Sequence, residues 1–137
     1  MLNLLDVNLL VIVISLLLNM GLGMLWYGPL FGKAWMAGAG FKEEDREEMQ
    51  KSAGIGYALS ALFALLFGYV LDLLFNLIPL PNLGFALVIT GLIYVGLVLP
   101  NTIKGRLWLE TTPSVFRINT GFEIVYFGLM GVVAYLL

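Results

Sequence analysis

The placement of the charges constrains this chain more than anything else in it. No Asp, Glu, Lys or Arg occurs between Val7 and Gly32, and three later stretches are nearly as clean: about residues 53–78, broken only by Asp72; 83–103, unbroken; and 118–137, broken only by Glu123. A helix needs roughly 20 apolar residues to cross a ~30 Å hydrocarbon core. Lipid satisfies no backbone N–H or C=O, so each such run is expected as a helix. With the first span placed at about residues 4–27, the expected fold class is all-α: one membrane domain over residues 1–137, a polytopic four-transmembrane-helix bundle. The Pro79-Leu80-Pro81-Asn82 stretch separates spans two and three as a tight hairpin. Composition agrees, since 61% of residues are hydrophobic and 12% charged, where a soluble domain carries about a quarter charged.

The first run has no basic n-region and is longer than the apolar core of a signal peptide, so it is expected as a retained span. All seven Lys and Arg residues fall in two places, Lys33 to Lys51 and Lys104 to Arg117. The positive-inside rule then makes residues 28–52 and 104–117 cytoplasmic loops and puts both termini on the non-cytoplasmic side of a multi-pass cell-membrane protein.

Absences bound the chemistry. The chain has no Cys and no His, which removes disulfides, thiolate nucleophiles, the usual transition-metal ligands and the commonest general base. No metal site and no cofactor is expected, and an enzyme is less expected than a non-enzyme. A net charge of −2 offers no basic field for nucleic acid. The expected partners are membrane lipids and either further copies of the chain or a larger membrane complex.

Trp26, Tyr27, Lys33, Trp35 and Trp108 suit anchoring at the membrane interface, where aromatic rings and snorkelling lysines settle. Gly28-Pro29 ends or bends span one, and Phe31 and Trp35, four apart, share a helical face. The segment that follows is expected as a short interfacial helix, with a re-entrant segment as the alternative. Residues 41–51 hold five acids and three bases, a solvated helix leading into span two. In the second loop Trp108 stands between Arg106 and Glu110.

The order of a first span, Trp26-Tyr27-Gly28-Pro29-Leu30-Phe31-Gly32-Lys33-Ala34-Trp35, an acidic helix and three further spans resembles a family of small membrane proteins catalogued as domain-of-unknown-function family 1761. Arg117-Ile118-Asn119-Thr120-Gly121-Phe122 before the last span is similar as well. The resemblance covers nearly the whole chain and implies a four-span bundle. It brings no activity and no catalytic residues.

Polar residues recur along one face of each span. Neutral ones are ordinary glue between membrane helices, whereas an intramembrane carboxylate is costly and marks a place to look for function. Asn119, Glu123 and Tyr126 align on span four, and Asn101 and Asn19 come at similar depth on spans three and one. These five are expected to form a polar pocket towards the cytoplasmic side. Asp72 and Asn76, with Asp6 and Asn8 at similar depth, are expected as an outer polar layer, although Asp72 is equally placed to reach water. Two layers joined by polar faces suit a proton- or ion-coupled small-solute transporter or channel. Two layers parted by an apolar plug suit a structural or accessory subunit, or a self-associating bundle. A carboxylate-based enzyme acting on lipid is a third reading.

Overall fold

The computed structural model describes residues 3–109 and 111–137; Glu110 lies outside them. Helix α1, Leu9–Leu25, starts one turn later than the apolar run does, because Asn8 caps it: the Asn8 side chain accepts from the Leu10 N–H at 3.0 Å. At its far end the helix passes into a π-helical turn, Trp26–Leu30, in which the Phe31 N–H reaches back five residues to the Trp26 carbonyl at 2.9 Å. Pro29 explains the change of winding. It has no N–H to give, and it disfavours the helical conformation in the residue before it; Gly28 accordingly sits at φ −107, ψ −105.

A short helix α2, Gly32–Gly38, follows, and Gly40 turns the chain with φ +80, a left-handed conformation that glycine adopts without a Cβ penalty. A single 3-10 turn, Glu43–Asp45, leads into the long helix α3, Arg46–Leu77. Pro79 forces Ile78 into an extended conformation and stops α3 there. The Asn82 side chain then caps helix α4, Leu83–Ile93, by accepting from the Phe85 N–H at 2.9 Å.

The third span repeats the device of the first. A second π turn, Tyr94–Val98, joins α4 to helix α5, Leu99–Trp108. Pro100 cannot donate to the Gly96 carbonyl, and its ring crowds that carbonyl. The last helix, α6, spans Pro113–Leu136. Thr112 caps it and Pro113 fills the first position, where no N–H is needed. The stretch expected as a loop from Lys104 to Arg117 is therefore mostly helical, since α5 runs to Trp108 and α6 starts at Pro113.

Four helical segments are long and apolar enough to cross a membrane: Leu9–Leu30, Ala53–Leu77, Leu83–Trp108 and Pro113–Leu136. Among the described residues no strand occurs. The protein is an all-α, multi-pass membrane bundle. Helix α6 is its centre, touching α1, α2, α3, α4 and α5, while α1 and α3 form the closest pair. At their crossing a Cβ on Gly68 would stand 2.7 Å from the Ser15 Cβ and 3.0 Å from the Ile12 Cα, so the two backbones meet with no room for a side chain. Gly121 receives the Trp26 ring and Gly131 receives Thr90 in the same way. The core is a column of Val11, Leu71, Phe75, Ala86, Tyr126, Met130 and Ala134. No more than 28% of the most apolar window of any span is buried within the chain, so most of its apolar surface is left for lipid or another protein.

Candidate functional site

Four groups of polar side chains bond between elements of the bundle; beside them Thr90 bonds within its own helix and the buried Thr120 hydroxyl has no partner among the described residues. The outermost surrounds Asp72, which is 4% exposed and does not reach water. Its Oδ2 accepts the Asn8 N–H at 2.7 Å and the Asn76 Nδ2 at 3.3 Å. Asn76 also donates to the Asp6 carbonyl, and the Asn8 Nδ2 donates to the Leu137 carbonyl at 3.3 Å. The Asp6 side chain is exposed and contributes only its backbone. Asp72 thus satisfies an N–H at the positive end of α1, where the helix dipole favours an anion. The segment before α1 is tied down beside it, with the Tyr69 hydroxyl donating to the Leu4 carbonyl.

Inward of this layer Val11, Leu71 and Met130 are each at most 1% exposed, and the buried Thr90 beside them turns its hydroxyl to the Ala86 carbonyl of its own helix at 2.9 Å. Next comes a polar knot. The Ser15 Oγ lies 2.6 Å from the Ala64 carbonyl and 2.7 Å from the Tyr126 hydroxyl. With Ser15 donating to Ala64 and Tyr126 donating to Ser15, every partner is satisfied. Phe67, Phe122 and Phe127 ring Tyr126.

Glu123 lies on another side of α6, half-buried against the third span. The Tyr94 hydroxyl donates to its Oε2 at 3.1 Å, and the Thr102 hydroxyl lies 3.1 Å from both carboxylate oxygens. No Lys or Arg among the described residues bonds to it. Arg106, one turn beyond Thr102, is turned away: its guanidinium donates to the Thr111 carbonyl and lies 6.0 Å from the centre of the Phe116 ring.

The fourth group holds the elbow after α1. The Asn119 Oδ1 accepts from the Tyr27 hydroxyl at 2.9 Å and from the Trp35 Nε1 at 3.2 Å, and the Trp26 Nε1 donates to the Ile118 carbonyl at 2.9 Å. Thr112 donates to the Gly38 carbonyl at 2.8 Å, which fixes α2 beside the start of α6. Of the residues expected as interfacial anchors, Trp26, Tyr27 and Trp35 bond to α6. Trp108 is 83% exposed, and Lys33 is exposed on α2. Among the described residues no group of three or more Asp and Glu has a metal-binding arrangement.

Residues 10–135 match the family described as protein of unknown function (DUF1761). The chain belongs to that family. No curated protein and no solved structure matches it at a significant level.

In this DUF1761 protein the five residues expected to share one inner pocket are dispersed. Asn119 faces the elbow, Glu123 the third span, and Tyr126 the α1–α3 pair. Glu123 and Tyr126, three positions apart, differ by about 60° around a helix; at a central helix that is enough to meet different neighbours. Asn19 lines a cavity of about 310 Å³ with Ser60, Ala64, Phe67 and Tyr126. Asn101 is exposed and folds back on its own helix, donating to the Leu97 carbonyl at 2.8 Å. Thr102 stands at Glu123 instead. In an unbroken α-helix Asn101, seven after Tyr94, would share its face, and Thr102 would lie about 80° away. The π turn uses one more residue per turn, so Thr102 moves into the place that Asn101 would have held.

Proposed function

We propose that this small membrane protein is a structural or accessory subunit of the cell membrane, working as a self-associating bundle or within a larger membrane complex, and that it carries out no reaction. The observation that carries this reading is the separation of its two intramembrane carboxylates. Asp72 is engaged in capping α1, Glu123 bonds to two hydroxyls of the third span, and the Val11, Leu71 and Met130 layer lies between them. Charge moving from one to the other would have to cross that closely packed layer, where an unpaired ion is very costly. The large apolar surface left on every span supports association with further helices. The distribution of Lys and Arg supports placing α2 and the start of α3 on the cytoplasmic side, with both termini opposite.

A second reading has one observation in its favour. Glu123 meets two neutral donors and no Lys or Arg among the described residues, the setting of a carboxylate that takes up and releases a proton or small cation. Proteoliposomes separate the two. In the structural reading, wild-type vesicles conduct protons and small cations no faster than empty ones, while the purified protein runs as a stable oligomer or retains a stoichiometric partner. A flux above background that Glu123→Gln abolishes would replace it with the transport reading.

A further inference from the structure

The elbow after α1 forms a cleft of about 570 Å³, which shares only Tyr27 with the internal polar groups. This is within the range of small-molecule sites, about 300–1,000 Å³. Gly28, Gly32 and Ala37 are among its lining residues, and the elbow needs glycine at position 32, where a Cβ would lie 2.5 Å from the Tyr27 carbonyl oxygen. Tyr27, Met36 and Phe41 supply apolar wall, and the Phe41 ring is backed by Trp35, stacked at 6.1 Å between ring centres. Lys33, Arg46 and Glu43 supply charge. All three are exposed, and among the described residues neither cation is paired with a carboxylate.

The ends of the neighbouring apolar spans bear on the medium it opens to. The first apolar span ends at Leu30, and the apolar part of α3 begins only at Ala53. The first seven residues of α3 therefore project roughly 10 Å beyond the hydrocarbon at 1.5 Å per residue. The cleft's lining residues, Tyr27 to Arg46, fall in the chain between these limits, which supports placing it near the headgroups.

We propose that this cleft binds the headgroup of a zwitterionic aminophospholipid, with the phosphate at Lys33 and Arg46, the primary ammonium at Glu43, and the upper acyl region against Tyr27, Met36 and Phe41. Two cations and one carboxylate match a phosphate and an ammonium held on one molecule. Lys and Arg are all donor and a carboxylate is all acceptor, so each side chain meets the opposite half of the headgroup. A purely anionic headgroup leaves Glu43 unmatched and repelled. A choline headgroup has no N–H to donate to it. Glu123 does not line the cleft, so the proposal does not rest on either reading of that residue.

The test titrates the purified full-length protein, in a neutral detergent, with short-chain phosphatidylethanolamine, phosphatidylglycerol, phosphatidylcholine and free phosphoethanolamine, following tryptophan fluorescence. Phosphatidylethanolamine should bind about ten-fold more tightly than phosphatidylcholine, and Glu43→Gln should erase that preference. The Lys33→Gln/Arg46→Gln double variant should weaken phosphatidylethanolamine binding by about ten-fold or more. Ala37→Trp, which keeps every charge but fills the cleft, should weaken it as much. These positions are exposed, and circular dichroism of each variant confirms that the bundle is intact. Equal binding of the ethanolamine and choline lipids overturns the proposal, as does double-variant binding equal to wild type. Free phosphoethanolamine binding as tightly as the lipid assigns the cleft to a soluble ligand and overturns the lipid source.

Discussion

At the scale of single residues, Asp72 shows how an intramembrane charge can serve folding. Its oxygen receives the N–H that begins α1 and the amide of Asn76, and burial withholds water as a substitute. Hydrogen bonds to a charged group contribute about 1.5–3 kcal/mol. Asp72→Ala should therefore lower stability by about 2 kcal/mol and loosen the segment before α1. Asp72→Asn, which keeps an acceptor, should cost less than half as much. Thermal melting in detergent measures both, and protease sensitivity of residues 3–8 checks the local effect. The sequence made Asp72, Asn76 and Asn8 neighbours by depth alone. It left open whether Asp72 faced water, because depth along a helix is readable from spacing and rotation around it is only roughly so. Tyr126 shows the complementary case: its partner Ser15 stands on a polar stripe of α1 visible in the sequence, but the Ala64 carbonyl that completes the knot leaves no trace in side-chain identity.

At the scale of elements, the two π turns decide which residues meet. The helices were legible because apolar length and the Pro79-Leu80-Pro81-Asn82 break after α3 are local signals. The exchange of Asn101 for Thr102 at Glu123 was not, because a helical wheel assumes constant winding and Pro100 changes it. The absence of cysteine from the chain makes this directly measurable. Paired cysteines at positions 102 and 123 should cross-link efficiently with a short bifunctional reagent, whereas a pair at 101 and 123 should not. The reverse preference would mean that the third span is an unbroken α-helix. The first π turn has a different outcome: with Gly28 out of the helical region, it turns the chain so that Trp35 and Tyr27 both reach Asn119.

For the whole molecule, α6 is the hub and the other spans are arranged around it. The bundle has little interior of its own, and the four polar groups lie at successive heights instead of lining one passage. The sequence pointed to a shared inner pocket because it showed Asn119, Glu123 and Tyr126 on one stripe. With neighbours on several sides, a stripe some 60° wide divides among them. The orientation expected from the positive-inside rule has a direct check at this scale. A cysteine at Pro81, in the exposed turn between α3 and α4, should react with a membrane-impermeant maleimide on intact cells. One at Glu44 should react only after the membrane is opened.

The turn at Tyr94–Val98 also bears on how such a chain tolerates change in length. Losing one residue from a membrane helix ordinarily rotates everything beyond it by about 100° and turns its inward face to lipid. Here one residue is held in surplus by the wider winding. Removing Pro100, the residue that forces the wider winding, converts the turn to ordinary α-helix and leaves Tyr94 and Thr102 both facing Glu123. The middle of the third span, where a frame of fixed length would be expected, is thus a place where a single-codon deletion can be absorbed.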